Sequence, residues 1–178
     1  VIDIGDGANY GGSAGAQYVV VTDDELAAGA ATLASYRSGQ GLSTLVVRLQ
    51  DIYDEFDFGM GGPQALRNFL AYAWNEWPEA PRYVTFAGEG TYDYKNLSGF
   101  GGNKIPALMV ATPDGLFSSD AGYGDVDDDG VAEMAIGRLP VLSSSELAGV
   151  IAKIQAYESL DGSWVDQEES AFVAKRGA

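Results

Sequence analysis

Six residues, Gln17-Tyr18-Val19-Val20-Val21-Thr22, constrain the fold more than any other stretch of the chain. No polar position separates the three valines, so an extended segment here is apolar on both faces. A strand of that kind needs cover on both sides, which a parallel sheet between layers of helices provides. Asp23 and Asp24 follow in helix-capping positions. Leu26, Ala30, Leu33 and Arg37 then recur every three or four residues, the period of a helix. Gly39 and Gly41 mark its end before an apolar strand from Ser43 to Leu49. Together these segments predict one β-α-β unit.

The same alternation continues downstream. After a polar connection from Asp51 to Gly62, Pro63 suits the first position of a helix, and Leu66, Phe69, Leu70, Ala73 and Trp77 make one apolar stripe. Pro78 and Pro81 stop it. A strand from Arg82 to Ala87 follows, so a parallel sheet with right-handed crossovers is the economical topology. A glycine-rich loop from Gly88 to Lys104 leads to a short strand at Ala107 to Ala111, and a fifth strand is expected at Ala132 to Ile136. Ser143 and Glu146 have the form of a capping box before a last helix carrying Leu147, Val150, Ile151 and Ile154. Trp164 and the run Ser170 to Ala174 are expected to open another strand. The fold class is therefore α/β, an open, mainly parallel sheet of about four to five strands with flanking helices. Residues 1–16, rich in Gly, Ala and Asp, are expected to be a flexible linker, residues 17–160 the α/β subdomain, and residues 161–178 the truncated start of a second subdomain.

Composition narrows the function. The 178 residues are 46% apolar and 11% aromatic, enough for one well-filled domain. Acidic residues outnumber basic ones 26 to 10, a formal charge of −16 that repels phosphate backbones and anionic membrane surfaces. Nucleic acid and membrane are thus not expected as partners, whereas divalent cations are plausible ligands of clustered carboxylates. The absence of cysteine excludes disulfides, zinc-thiolate sites and a thiol nucleophile in these residues. The absence of histidine excludes Ser-His-Asp and Cys-His arrangements and any imidazole base. No apolar run approaches the roughly 20 residues that span a bilayer. Val1 in place of Met suits a processed or trimmed product, and an arbitrary sequence boundary would look the same.

The strongest local motif is Asp125-Val126-Asp127-Asp128-Asp129-Gly130-Val131-Ala132-Glu133. Carboxylates at alternate positions, with a glycine where the loop must turn sharply, match the demands of calcium, a hard cation bound through oxygen. Asp125, Asp127, Asp129 and Glu133 would offer carboxylates and Val131 its carbonyl, in a structural role. The loop is not an EF-hand, because Ile136 stands where the bidentate glutamate belongs and a strand follows in place of a helix. The competing reading is a solvated acidic turn.

Other motifs carry less. Glu89, Asp93 and Asp120 lie on loops after strand ends, where open α/β sheets place their sites, yet their spacing fits turn and cap residues better. Gly99 to Lys104 suggests a phosphate loop, but no Ser or Thr follows the lysine and no helix comes next, so that reading is rejected. Arg138, in Ile136-Gly137-Arg138-Leu139-Pro140, could bind a carboxylate bidentately or hold a neighbouring loop by its guanidinium, and it suits the structural role better. Tyr72, Trp74 and Trp77 fall on or near one helical face and suit core packing.

Taken in order, Ala34 to Leu42, Asp51 to Phe56, Pro63 to Leu70, Pro81 to Val84 with Gly88 to Asp93, Tyr123 to Gly130, Ile136 to Val141 and Lys153 to Glu158 form a series. That ordered series resembles the gingipain family of caspase-like cysteine peptidases. The resemblance covers roughly Gln17 to Ala174 and rests on the ordered series. It implies a caspase-like catalytic domain of two α/β subdomains, of which this chain supplies the first and the opening strand of the second. The family's histidine and cysteine belong to the second, so no catalytic residue can be carried onto any position here. It further implies a secreted or surface-exposed bacterial endopeptidase with peptide or protein substrates, often stabilised by calcium. The partner of this chain would be a downstream catalytic subdomain, covalently joined or separate after a nick near the dibasic Lys175-Arg176.

Two rival readings accompany it: a calcium-stabilised α/β binding or scaffold module without peptidase activity, and a flavodoxin-like phosphate- or nucleotide-binding domain. The charge and the missing phosphate loop disfavour the second.

Overall fold

The computed structural model describes residues 9–159. Ten regular elements follow one another: β1 (Tyr18–Thr22), α1 (Ala27–Gly39), β2 (Thr44–Arg48), α2 (Leu49–Asp57), α3 (Pro63–Glu76), β3 (Tyr83–Ala87), β4 (Met109–Thr112), β5 (Gly115–Ser118), β6 (Ala135–Leu139) and α4 (Ser144–Glu158). Four of the strands form one parallel sheet in the order β2-β1-β3-β6. All five residues of β1 are buried, as expected of a central strand with no polar face.

Register decides what each face carries. Val19 and Val21 of β1 lie beside Leu45 and Val47 of β2 and beside Val84 and Phe86 of β3, so these six share a face. Leu49 and Ile52 of α2 and Leu66, Phe69, Leu70 and Ala73 of α3 complete the apolar core on that side. Phe69 is its hub, with its ring centroid 5.9 Å from Tyr10, 5.4 Å from Phe56 and 5.6 Å from Trp77. Tyr18 points to the other face, where the guanidinium of Arg37 on α1 lies 5.7 Å over its ring.

Helix boundaries follow the local signals. The Asp23 carboxylate accepts the Leu26 amide at 2.9 Å, ordering the turn into α1. Gly41, at φ +92°, ends that helix in the left-handed region. Pro63 occupies the first turn of α3, where its missing N–H costs nothing. At the start of α4 the capping box is present: the Glu146 amide donates to Ser143 Oγ at 3.3 Å and the Ser143 amide to Glu146 Oε2 at 3.2 Å.

Four expectations are corrected. The segment after Asp51 is not a plain connection, because its first part belongs to α2, whose Leu49, Ile52, Tyr53 and Phe56 fall at helical spacing. The strand expected at Ala107 to Ala111 lies at Met109–Thr112 and joins β5 in a separate antiparallel hairpin instead of the main sheet. The strand expected at Ala132 begins at Ala135 and runs through Arg138 to Leu139, since the acidic loop occupies the residues before it. The stretch expected to be a linker is packed over its second half: a 3-10 turn at Tyr10–Gly12 sits against α2 and α3, and Ala16 is buried. The Glu55 carboxylate accepts the amides of Tyr10 and Gly11 at 2.9 and 2.7 Å, and Trp77 Nε1 donates to the Tyr10 carbonyl at 2.7 Å.

The chain divides into two compact units, residues 1–147 and residues 148–178. Of the second unit the structure describes the part of α4 from Ala148 and Ser159, whose amide closes the last turn on the Gln155 carbonyl at 3.0 Å. The strands expected near Trp164 and at Ser170 to Ala174, and the dibasic step at Lys175-Arg176, lie outside the described residues. No described helix is long and apolar enough to cross a membrane.

Candidate metal centre

Two buried side chains anchor the acidic loop. Tyr123, at the end of a 3-10 turn, is fully buried, stacks edge-on against Phe86 at 5.1 Å and donates its hydroxyl to the Pro106 carbonyl at 2.8 Å. Burial holds that phenol protonated, well above its ordinary pKa. Met134, 2% exposed, pins the far end. Between them the Glu133 amide donates to the Gly124 carbonyl at 2.9 Å and closes the base of the loop. A Cβ on Gly124 would stand 2.6 Å from the Met134 carbonyl oxygen, so only glycine permits that closure.

Within the loop the carboxylates fold the backbone around themselves. Asp125 Oδ2 accepts the Gly130 amide at 3.0 Å, Asp127 Oδ1 the Asp129 amide at 3.2 Å, and Glu133 Oε2 the Val126 amide at 2.8 Å. Gly130 adopts φ +87°, a conformation that glycine takes without strain. Carboxylate oxygens of Asp125, Asp127 and Glu133 thereby come within 4.8 Å of one another. Each of these side chains spends one oxygen on a loop amide and keeps a second. For Asp125 the second oxygen, Oδ1, is buried and has no hydrogen-bond partner.

This arrangement is electrostatically incomplete. Three carboxylates converge, and among the described residues no Lys or Arg side chain pairs with any of them. An unpartnered carboxylate oxygen removed from water costs free energy that a cation would recover. The donor set is all oxygen, which suits a hard divalent ion. The residues present therefore fit a metal of that class.

The remaining positions of the expected set behave differently. Asp129 is exposed, outside the cluster, and its Oδ1 accepts the Val131 amide at 2.8 Å. Val131 presents an exposed side chain. Two contributors escaped the sequence reading. Arg67 of α3 donates through Nη2 to the Asp125 carbonyl at 2.9 Å and meets the Asp128 carboxylate, tying the loop to the helix. Asp128 itself adopts φ 63°, which aspartate tolerates better than most residues.

The second acidic group does not assemble. The Arg138 guanidinium holds Asp120, while Asp93 accepts the amides of Leu97 and Ser98 at 2.8 and 2.7 Å. Those bonds, that of Ser98 first, hold the Asp93 carboxyl below its usual range. Glu89 Oε1 accepts the Gly90 amide at 3.1 Å. These are turn and cap roles. Lys104, at the end of the glycine-rich loop, pairs with Asp23 and Glu25 at 2.9 and 2.6 Å.

Comparison with known proteins adds the context. The model of peptidase family C25 matches residues 12–177. No curated protein matches the chain. Among solved structures, dimeric latent PorU from Porphyromonas gingivalis superposes with a TM-score of 0.71 at 21% identity, covering 82% of this chain and 16% of that one. A complex of Porphyromonas gingivalis RgpB pro- and mature domains gives 0.59 at 22% identity, over 76% of this chain and 27% of that one. The Arg-specific cysteine proteinase gingipain R (RgpB) gives 0.58 at 21%, over 79% and 28%. The likeness to these structures is one of fold, and the chain spans less than a third of the length of each.

Proposed function

Because the chain belongs to peptidase family C25, we propose that it is the non-catalytic first α/β subdomain of a gingipain-like cysteine endopeptidase. Its role is to pack beside and support a catalytic subdomain carried by sequence outside residues 1–178, with residues 161–178 beginning that second part. One observation carries the reading: a family match across nearly the whole chain coincides with a sequence that contains neither cysteine nor histidine. Thiolate-dependent amide hydrolysis needs both a thiol and a base to activate it. The intact protein would be a bacterial enzyme, secreted or on the cell surface, acting on peptides or proteins.

Calcium completes the proposal. Asp125, Asp127 and Glu133 would hold the ion, with Asp129 and the Val131 carbonyl as further oxygen donors, and it would supply the positive charge the loop lacks. Its chemistry there is structural: it neutralises the carboxylates and rigidifies the strand-to-strand connection.

The test compares two purified proteins, the 178-residue chain alone and the same chain joined to the sequence that follows it in its parent. The joined protein should cleave unfolded protein substrates and lose activity on thiol alkylation, while the chain alone should be inert. Cleavage by the chain alone, or a joined protein indifferent to alkylation, overturns the reading.

A further inference from the structure

A cleft of about 360 Å³ opens beyond the carboxyl end of β3, lined by Gly90, Thr91, Tyr92, Ala107, Met109 and Ser118. That volume is at the small end of ligand pockets, roughly 300–1,000 Å³, and the carboxyl edge of a parallel sheet is where such folds place ligands. The hairpin forms one wall, with Met109 and Ser118 paired across it. Gly90 belongs to the other, and a Cβ there would stand 2.6 Å from the Ile105 carbonyl oxygen and 2.8 Å from Arg138 Nη1, so this wall admits no side chain.

Two properties of the lining select a ligand. First, none of the six residues is charged, in a chain of net charge −16. The nearby Arg138, behind Gly90, is already paired with Asp120, so a charged group entering the cleft would lose water without gaining a free counter-ion. Second, Thr91 Oγ1 is buried and has no hydrogen-bond partner, although the Thr91 amide is satisfied by Asn103 Oδ1 at 3.1 Å. A buried hydroxyl left unpaired is costly. Rotation about the Cα–Cβ bond exchanges hydroxyl and methyl, and here it breaks no hydrogen bond.

We propose that this cleft is a peptide subsite that takes one neutral, apolar residue of an extended polypeptide, with the Thr91 hydroxyl hydrogen-bonded to the peptide main chain. Ala107, Met109 and the ring of Tyr92 supply the apolar contact. The choice of a peptide as ligand rests on the peptidase reading above; the selection for a neutral, apolar group rests on the cleft alone.

Methionine provides the reporter, since Met109 lines the cleft, Met60 is an exposed loop residue and Met134 is buried under the acidic loop. In the 178-residue chain labelled with ¹³C at the methionine methyls, N-acetyl-leucine N-methylamide should shift the Met109 resonance saturably and leave Met60 and Met134 in place. The corresponding glutamate and lysine derivatives should bind at least tenfold more weakly. Thr91→Val should weaken binding of the leucine probe about tenfold, the effect of one lost hydrogen bond, without lowering the melting temperature, because the hydroxyl it removes has no partner in the fold. A Met109 signal that ignores the leucine probe, equal response to the charged probes, or a Thr91→Val protein that binds as before overturns the proposal. An inactive joined protein would instead sink the peptidase reading and leave the Met109 response standing.

Discussion

The guanidinium of Arg138 grips the carboxylate of Asp120 through two parallel bonds, Nε to Oδ2 and Nη2 to Oδ1, each 2.8 Å long. The same group donates to the carbonyls of Gly88 at 3.0 Å, Ile105 at 2.9 Å and Pro106 at 3.3 Å, and lies 5.1 Å over the Phe86 ring. One side chain on β6 thus gathers the loop after β3, the approach to the hairpin and the turn before the acidic loop. A lysine cannot reproduce that planar fork. Arg138→Lys should cost about 2 kcal/mol, and Arg138→Met about 3–5 kcal/mol because Asp120 and the carbonyls of Gly88 and Ile105 lose this donor together, while the Pro106 carbonyl keeps the Tyr123 hydroxyl. Urea denaturation measures both. A lysine variant as stable as the parent would show that the fork geometry contributes nothing.

Phe69 is fully buried at the meeting point of Tyr10, Phe56 and Trp77. Phe69→Ala removes edge-to-face contacts and leaves a void that the surrounding rings cannot close, so a loss of about 3–5 kcal/mol is expected. Phe69→Leu should cost less. Thermal or chemical unfolding of the two variants checks the order, and equal stability of the alanine variant and the parent would refute the hub.

The parts of this fold that were legible in the sequence are those whose signals are local. The unbroken apolar run of β1, the stripe of α3 with Pro63 at its head, and the Ser143–Glu146 box all act within a few residues of one another, and each reappears in place. Helix α2 was hidden by its acidic residues: Asp51, Asp54, Glu55 and Asp57 disguise the spacing of Leu49, Ile52, Tyr53 and Phe56. The second strand of the hairpin, β5, was not anticipated, and which sheet the first would join is a tertiary matter. At the acidic loop, the alternate carboxylates could be read because the motif is nine residues long. The tether from Arg67 could not, since it spans 58 residues to Asp125. Nor could spacing say that the converging set would be Asp125, Asp127 and Glu133, with Asp129 outside it.

Alkaline stability should depend on Lys104. Its ammonium bonds to Glu25 first and Asp23 second, which raises its pKa above the ordinary 10.5. A group whose pKa is raised on folding stabilises the fold fully below its unfolded pKa and loses that contribution as pH climbs through the folded value. Lys104→Met should therefore melt below the parent at neutral pH, and the gap should close above about pH 10.5. Tyr53 and Tyr123, both pushed up by burial, add alkaline losses common to the two proteins. A gap that is constant from pH 7 to 12 would mean that the lysine acts through packing of its alkyl chain alone.

Removing divalent metal should reveal what the acidic loop is for. Without an ion, Asp125, Asp127 and Glu133 repel one another and Asp125 Oδ1 has no partner, so chelation should lower the melting temperature and calcium should restore it. The response follows mass action: calcium at 100 times its dissociation constant adds about 2.7 kcal/mol. Asp127→Ala should abolish the response at little cost to the apo fold, since its side chain is exposed and relieves repulsion when removed. Asp129→Asn should keep much of it, because that carboxylate stands outside the cluster. Differential scanning calorimetry with and without chelator separates these cases. A melting temperature indifferent to chelator in the unsubstituted chain would leave the loop as a solvated acidic turn, held by Arg67 and by its own amides.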